Sequence, residues 1–158
     1  MRTLFVAALL FTSTAWAENA SVNLGPGSVF ADCADCPQMV VIPPGDFIMG
    51  FDGGVNEERY EGPPHPVSIG YSFAFGLLEI TTAQFRQFVD ETGYTAGTDC
   101  RLWTGKSVEH VPGKDWRDPG YGRPPRDDDP AVCISWYDAK AYVAWLAERT
   151  GQPYRLPT

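Results

Sequence analysis

Short apolar runs separated by turn residues occupy the first half of the chain and predict β-strands. Met39–Ile42 and Phe47–Gly50 flank a Pro-Pro-Gly-Asp turn signal, so together they predict a hairpin. Pro66–Tyr71 and Phe73–Ile80 predict two further strands. The pattern therefore favours a β-rich first half.

Two later segments have helical spacing and carry their own start and stop signals. The first follows Thr81, where Thr-Thr-Ala-Gln is a capping box, and Gly93 is placed to end it. The second opens at Ser135, keeps its apolar spacing through Leu146 and closes at Gly151. These signals predict two capped helices.

Between the predicted helices, residues 94–134 contain Gly, Pro and Asp throughout and predict a long loop. A loop of this length in a compact domain is either functional or disordered. Its aromatic residues Trp103, Trp116 and Tyr121 favour order, because they supply apolar burial that disordered segments lack. The whole chain has 16 Gly, 14 Pro and 5 Trp, which favours a loop-rich fold with few long helices.

The N-terminus has the order of a cleavable secretory signal. Arg2 is followed by the apolar run Leu4–Phe11 and then by small and polar residues ending in Ala-Trp-Ala. The apolar run is shorter than the about 20 residues that span a bilayer. We expect residues 1–17 to be removed, residues 18–32 to form a flexible mature N-terminus, and the protein to be periplasmic or extracellular, without membrane insertion after cleavage.

Charge narrows the choice of partners. The net charge is −8, and loss of Arg2 with residues 1–17 would make it −9. An acidic protein repels nucleic acid and anionic lipid, so neither is expected as a partner.

Four cysteines, Cys33, Cys36, Cys100 and Cys133, would meet an oxidising compartment after export and allow three complete pairings. We favour Cys33–Cys36 with Cys100–Cys133. Cys33-x-x-Cys36 could instead be a redox pair or half of a zinc site, although the second half-site is not evident. Cys100 and Cys133 could alternatively bind copper, which prefers soft thiolates.

Several strings occur in an order that resembles the formylglycine-generating enzyme, or sulfatase-modifying factor, family. The strings are Met39–Gly50, Glu61–Val67, Glu79–Phe85, Phe88–Tyr94, Gly113–Gly120, Asp129–Ala139, Ala141–Trp145 and Arg155–Thr158. The resemblance covers residues 33–158 and implies an irregular, loop-rich α+β domain related to C-type lectins. It also implies that these residues are the N-terminal portion of that domain, truncated at its C-terminus.

The resemblance implies oxidation of a cysteine in a Cys-x-Pro-x-Arg motif of a sulfatase to formylglycine, with copper and dioxygen. The copper cysteines and the structural calcium ligands of the family would lie beyond Thr158, so catalytic residues are not expected in this chain. The resemblance further implies that Glu79 and Asp99 line the groove for a peptide or protein substrate. Each could instead be a capping or solvated carboxylate. The sequence gives no oligomeric state.

Other chemistry-bearing residues have simpler interpretations. Trp116 and Arg117 match a family string, and we expect a buried indole and a loop-pinning guanidinium. Asp127–Asp129 lack the spacing of an EF-hand and predict a solvated acidic loop rather than a calcium site. His65 and His110 have no partner motif, so iron chemistry is not favoured. Core or groove-wall positions are expected for Trp103, Trp136 and Trp145.

A second functional class stays open. Some relatives in this family mature exported natural products or act as non-catalytic binding modules. Bacterial sulfatases are usually modified before export, so an exported family member fits this second class as well.

Overall fold

The computed structural model describes residues 24–51 and 62–157, which form an α+β fold of two helices and three small antiparallel sheets. The predicted signal peptide and Thr158 lie outside the described residues. Along the described chain the elements are β1 (Val29–Phe30), β2 (Met39–Ile42), β3 (Gly45–Met49), β4 (His65–Ile69), β5 (Phe73–Gly76), α1 (Thr82–Thr92), β6 (Asp99–Trp103), β7 (Val108–Pro112) and α2 (Trp136–Thr150). The loop-rich α+β prediction is confirmed.

The predicted hairpin of the first two runs is wrong. Both runs are strands, but β2 lies between β1 and β5 in one sheet, whereas β3 pairs with β4 in another. Only Pro43 and Pro44 separate β2 from β3. A two-residue hairpin turn needs positive φ at its central residues, and proline fixes φ near −65°. The chain therefore leaves the first sheet at this point.

The segment expected to be flexible is partly ordered. From residue 24 it is described, and it forms a turn followed by β1, whose Val29 and Phe30 pair with Val40 and Met39 of β2. Gly27 occupies a left-handed conformation with φ 76°, which glycine adopts without a side-chain clash. Residues 18–23 lie outside the described chain.

The segment predicted as a long loop contains a β-hairpin, which corrects that prediction. β6 and β7 pair in register, with Cys100 opposite Val111 and Leu102 opposite Glu109. The turn between them is closed by the Thr104 N–H, which donates to the Ser107 carbonyl at 2.9 Å. Polar and apolar residues alternate over Asp99–Leu102 of β6 but not along β7, so the strand signal of this hairpin is weak.

Both helices begin and end where their local signals place them. Thr81 caps α1 and forms a reciprocal capping box with Gln84, and Ser135 forms the same arrangement with Asp138 at α2. Gly93 and Gly151 end the helices in left-handed conformations, each returning its N–H to the helix. Both helix predictions are confirmed.

The core lies between the two helices. Phe85 is in contact with Phe88, Trp116 and Tyr142, with ring centroids 5.3 to 6.1 Å apart. Leu146 and Cys36 complete the buried set. No helix among the described residues has the length and apolar character needed to cross a membrane.

Candidate functional site

Glu79 lies in the short segment between β5 and α1 and is exposed. The capping of α1 is done by Thr81 and Gln84, so Glu79 is not a cap. Within the described chain no hydrogen bond or ion pair holds its carboxylate. The side chain is therefore a solvated carboxylate that is available to a cationic ligand.

Asp99 is the first residue of β6, and its backbone is opposite Pro112 of β7. The hairpin that carries it stands apart from the rest of the fold. No Cα atom of β6 or β7 lies within 8 Å of a Cα atom of another described helix or strand. Asp99 therefore depends on loop and covalent contacts for its placement.

Asp129–Ile134, which we call the linking segment, runs beside the strand-like backbone that follows Glu79. The Ala131 N–H donates to the Ile80 carbonyl at 2.8 Å, and the Thr82 N–H donates to the Asp129 carbonyl at 2.8 Å. Thr81 and Pro130 form an isolated β-bridge between these hydrogen bonds. The backbone next to Glu79 is thereby fixed to the linking segment.

The same segment is bonded to the hairpin through the Cys100–Cys133 disulfide, whose Cα atoms are 4.9 Å apart. Cys100 is buried, with 4% of its surface exposed, yet it lies outside the main core cluster. Cys133 has a φ of 58°, and it is the one non-glycine residue with positive φ in the described ranges. Such a conformation costs about 1–3 kcal/mol and persists where the surrounding structure imposes it.

Asp129 anchors the start of the linking segment. Its carboxylate accepts hydrogen bonds from Arg123 Nη1 at 2.7 Å and from the Arg126 N–H at 2.8 Å. These two contacts, the Arg123 bond first, hold the pKa of the Asp129 carboxyl well below its usual value of 3.8. The expected solvated acidic loop is therefore wrong at Asp129, which is a nearly buried structural anion.

The neighbouring acidic residues are also paired. Asp127 accepts a hydrogen bond from Arg86 Nη1 at 2.8 Å, and Asp128 lies 3.4 Å from Arg126 Nε. With all three carboxylates near guanidinium groups, this run is neutralised by the protein itself. That arrangement leaves these carboxylates less available to a calcium ion.

The second disulfide, Cys33–Cys36, encloses Asp35 in a tight loop that is held against the ends of both helices. Arg149 Nη2 donates to both Asp35 carboxylate oxygens, at 2.8 and 3.0 Å, and Arg149 Nη1 also pairs with Glu91. Gln87 donates to Asp35 and Glu91 as well. These contacts, led by the Gln87 hydrogen bond, lower the pKa of Asp35.

Cys33, Asp35 and Cys36 bring three potential metal-ligand atoms within 4.8 Å of one another. Both cysteines are in a disulfide, however, and a disulfide sulfur is not a thiolate ligand. All four cysteines are paired, so the described residues do not fit a copper site. Both predicted disulfides are present, and in this oxidised form the Cys33–Cys36 pair has no thiolate to offer a metal.

Trp116 and Arg117 follow their prediction. Trp116 is buried at 3% exposure, and the Arg117 guanidinium lies 4.3 Å from the centroid of its ring. The other tryptophans differ, because Trp103 and Trp136 are 67% and 60% exposed, which excludes the core for both. Trp145 packs on the core cluster.

A groove of about 250 Å³ lies beside α1, and neither Glu79 nor Asp99 lines it. Its walls include Arg86, Trp116 and Arg117. Both arginines already face carboxylates, Asp127 and Asp115. This groove is therefore not the site that the resemblance predicts.

Sequence reasoning missed the linking segment, which connects the two candidate carboxylates. Its signal was present, since Asp129–Ala139 is one of the family strings. Nothing local in that string, however, shows that Ala131 meets Ile80 or that Asp129 is enclosed by Arg123 and Arg126.

A comparison with protein-family models matches residues 26–158 to the sulfatase-modifying factor enzyme 1-like domain. The chain belongs to this family. The chain is 31% identical over 149 residues to the formylglycine-generating enzyme of Bos taurus, covering 78% of this chain and 40% of that protein. It is 29% identical over 124 residues to the hercynine oxygenase of Mycolicibacterium smegmatis, covering 70% and 28% respectively.

Among solved structures, the family fold is matched by PvdO of Pseudomonas aeruginosa. The TM-score is 0.67 at 37% identity, over 84% of this chain and 48% of the PvdO chain. The sulfatase-modifying factor chain described above thus spans less than half the length of these relatives.

Proposed function

We propose that this chain is the substrate-binding N-terminal portion of an exported formylglycine-generating oxidase. Its substrate would be a sulfatase carrying a Cys-x-Pro-x-Arg motif, whose cysteine becomes formylglycine. The observation that carries the proposal is the continuous family match over residues 26–158. Both disulfides support export, because such bonds persist in oxidising compartments.

The role of the chain itself is to bind the arginine of the substrate. Glu79 offers an exposed carboxylate without a partner in the described chain, and Asp99 begins the β6–β7 hairpin, which the Cys100–Cys133 disulfide joins to the linking segment beside Glu79. A guanidinium can form charge-assisted, bidentate hydrogen bonds with a carboxylate. The net charge of −8 adds a long-range attraction for a cationic peptide.

We also propose that residues 33–158 form one portion of a longer domain. Many large apolar side chains are exposed, including Ile48 at 65%, Leu78 at 68% and Tyr137 at 74%. Every residue of β3 is exposed, and a two-stranded sheet is marginal in water without an apolar partner. Polypeptide that continues the domain would cover these surfaces.

Copper would be held by other residues of the complete enzyme, since the cysteines described above are all paired. Structural calcium, which takes oxygen ligands, would also be held by other residues of the complete enzyme. When bound, copper would supply the activation of dioxygen. The residues of this chain would bind and orient the substrate peptide, and no step of the proposal uses their sulfur atoms.

The test uses the protein expressed from its full reading frame, assayed for aldehyde on a Cys-x-Pro-x-Arg peptide with copper and dioxygen. We expect aldehyde, and we expect Asp99→Asn and Glu79→Gln to raise KM for this peptide about tenfold, as loss of a charged hydrogen bond does. Glu148→Gln, a change at an exposed α2 residue, is the matched control and leaves KM unchanged. No aldehyde from the unaltered enzyme would overturn the proposal.

One observation favours a second candidate function. A hercynine oxygenase, whose name records a different reaction, matches at 29% identity, close to the 31% of the bovine enzyme. We therefore keep a member with other chemistry, or a peptide-binding module without catalysis, as the alternative. Peptide binding without aldehyde formation in the same assay would favour it.

A further inference from the structure

We propose that the Cys100–Cys133 disulfide is a positioning device: through the linking segment it holds the Asp99 hairpin in a fixed place relative to Glu79. The inference deepens the proposed function and rests on it for the identity of the ligand, an arginine-containing peptide. Cys100 and Cys133 are positioning residues that do not touch the peptide themselves.

The first support is the isolation of the hairpin. No other described helix or strand approaches β6 or β7 within 8 Å between Cα atoms. The Gly113 N–H donates to the Thr98 carbonyl at 3.1 Å, which extends the hairpin's own ladder, and Leu102 contacts Gly120 of a neighbouring loop. A hairpin of two strands is marginal in water without further packing. Besides the main chain, the disulfide is the covalent link between the hairpin and the rest of the described chain.

The second support is the firm attachment of the other end of the disulfide. Ala131 and Ile134, on either side of Cys133, pack on the core cluster. Asp129, at the start of the segment, is held by Arg123 and Arg126. The Cys133 side is thus rigid, and the bond transmits that rigidity to Cys100.

The backbone beside Glu79 is joined to the same linking segment by hydrogen bonds and not by the disulfide. Ile80, the neighbour of Glu79, accepts the Ala131 N–H at 2.8 Å, and Thr81 bridges to Pro130. Removing the disulfide leaves these hydrogen bonds intact. The two carboxylates should therefore respond differently to loss of the bond, and a purely global loss of stability would not produce that difference.

The backbone of Cys133 has an unusual conformation. Its φ of 58° lies in the left-handed region that favours glycine. The disulfide and the packed neighbours impose this conformation. Without the bond, Cys100 and the hairpin are free to move away from this residue, which stays on the anchored linking segment.

The test compares three forms of the full chain: unaltered, Cys100→Ala with Cys133→Ala, and the control Cys33→Ala with Cys36→Ala. Amide hydrogen exchange is measured for each. In the first double variant we expect the β6 and β7 amides to exchange by local opening, at least about tenfold faster than the α1 and α2 amides, which exchange only by global unfolding. Unchanged exchange in the hairpin would overturn the inference.

A second measurement is a double-mutant cycle on the affinity for a Cys-x-Pro-x-Arg peptide. In the unaltered chain, Asp99→Asn and Glu79→Gln should each weaken binding about tenfold. Without the Cys100–Cys133 bond, the Asp99→Asn effect should fall below about threefold, while the Glu79→Gln effect is retained. Both effects should survive in the Cys33/Cys36 control.

The outcomes separate this inference from the proposed function. An Asp99→Asn effect of full size without the bond overturns the positioning role. No effect of either carboxylate in the unaltered chain overturns the proposed peptide site and the binding half of the inference, whereas the exchange measurement still decides whether the disulfide holds the hairpin.

Discussion

The two helices and the β6–β7 hairpin are ordered by different kinds of interaction. The helices bury Phe85, Phe88 and Tyr142 between them, so their arrangement follows from apolar packing. The hairpin leaves Trp103 and Val108 more than half exposed and is joined to the fold by a disulfide and loop contacts. The helical part therefore supplies apolar burial, whereas the hairpin, which we propose as part of the substrate-binding surface, depends on covalent and loop contacts.

Of the changes predicted here, removal of a core side chain should lower the free energy of unfolding the most. Phe85→Ala deletes a ring that is 2% exposed, and we expect a loss of about 3–5 kcal/mol in the free energy of unfolding. Urea unfolding monitored by circular dichroism measures it. Phe75→Ala, at a ring that is 48% exposed, is the matched control and should cost much less. Equal losses in the two variants would contradict the division between core and surface.

Removing either disulfide should cause the next largest loss of stability, and the two losses should differ in size. Cys100→Ala with Cys133→Ala opens a loop of about 34 residues, worth about 3–4 kcal/mol in the chain-entropy model, whereas the four-residue Cys33–Cys36 loop is worth about 2 kcal/mol. Denaturation midpoints of the two double variants measure the difference, and the reverse order would contradict the model.

The stability of the fold should depend on pH through Asp129, which anchors the linking segment. This effect should be smaller than those of the disulfides. The pKa of Asp129 is lowered in the folded chain, so its contribution to stability is complete above about pH 4 and is lost as the pH falls below that value. Asp129→Asn should remove this part of the acid-induced loss. Urea midpoints between pH 2 and pH 7 test it, and parallel profiles for the two proteins would argue against the anchor.

The smallest of these effects should come from a helix cap. Ser135 accepts the Asp138 N–H at 3.1 Å, and Ser135→Ala should cost about 1 kcal/mol. Thermal unfolding measures the loss, with Ser72→Ala at an exposed position outside the helices as the control. A similar change in both variants would mean that the cap contributes nothing specific.

The same two regions show what the sequence can predict. The helix boundaries were predictable because Thr81, Gln84 and Gly93 act on backbone groups within one turn of themselves. Strand partners were not, because β2 pairs with β5 across more than thirty residues and no local signal records that choice. The hairpin is not predictable in the same way, because the polar and apolar residues of β7 do not alternate and glycine and proline dominate the surrounding composition.

The candidate site, too, could be predicted from the sequence only in part. Glu79 and Asp99 were named from the resemblance, and the pairing of the cysteines was favoured from the number of cysteines and the expected export. The link between the two carboxylates depends on contacts of Asp129–Ile134 with residues almost fifty positions earlier. Such contacts are set by packing, which the order of residues alone does not display.

The turn at the far end of the hairpin has a consequence for evolution. Thr104 and Ser107 close it by two hydrogen bonds, and Gly105 takes a φ of 93° between them. Added residues in a flexible loop cost little conformational entropy, and this turn is remote from the helical core. Insertions at Gly105 would therefore change the length and chemistry of the proposed recognition surface, while Cys100 holds the base of the hairpin in place. Family members could in this way diverge in what they bind.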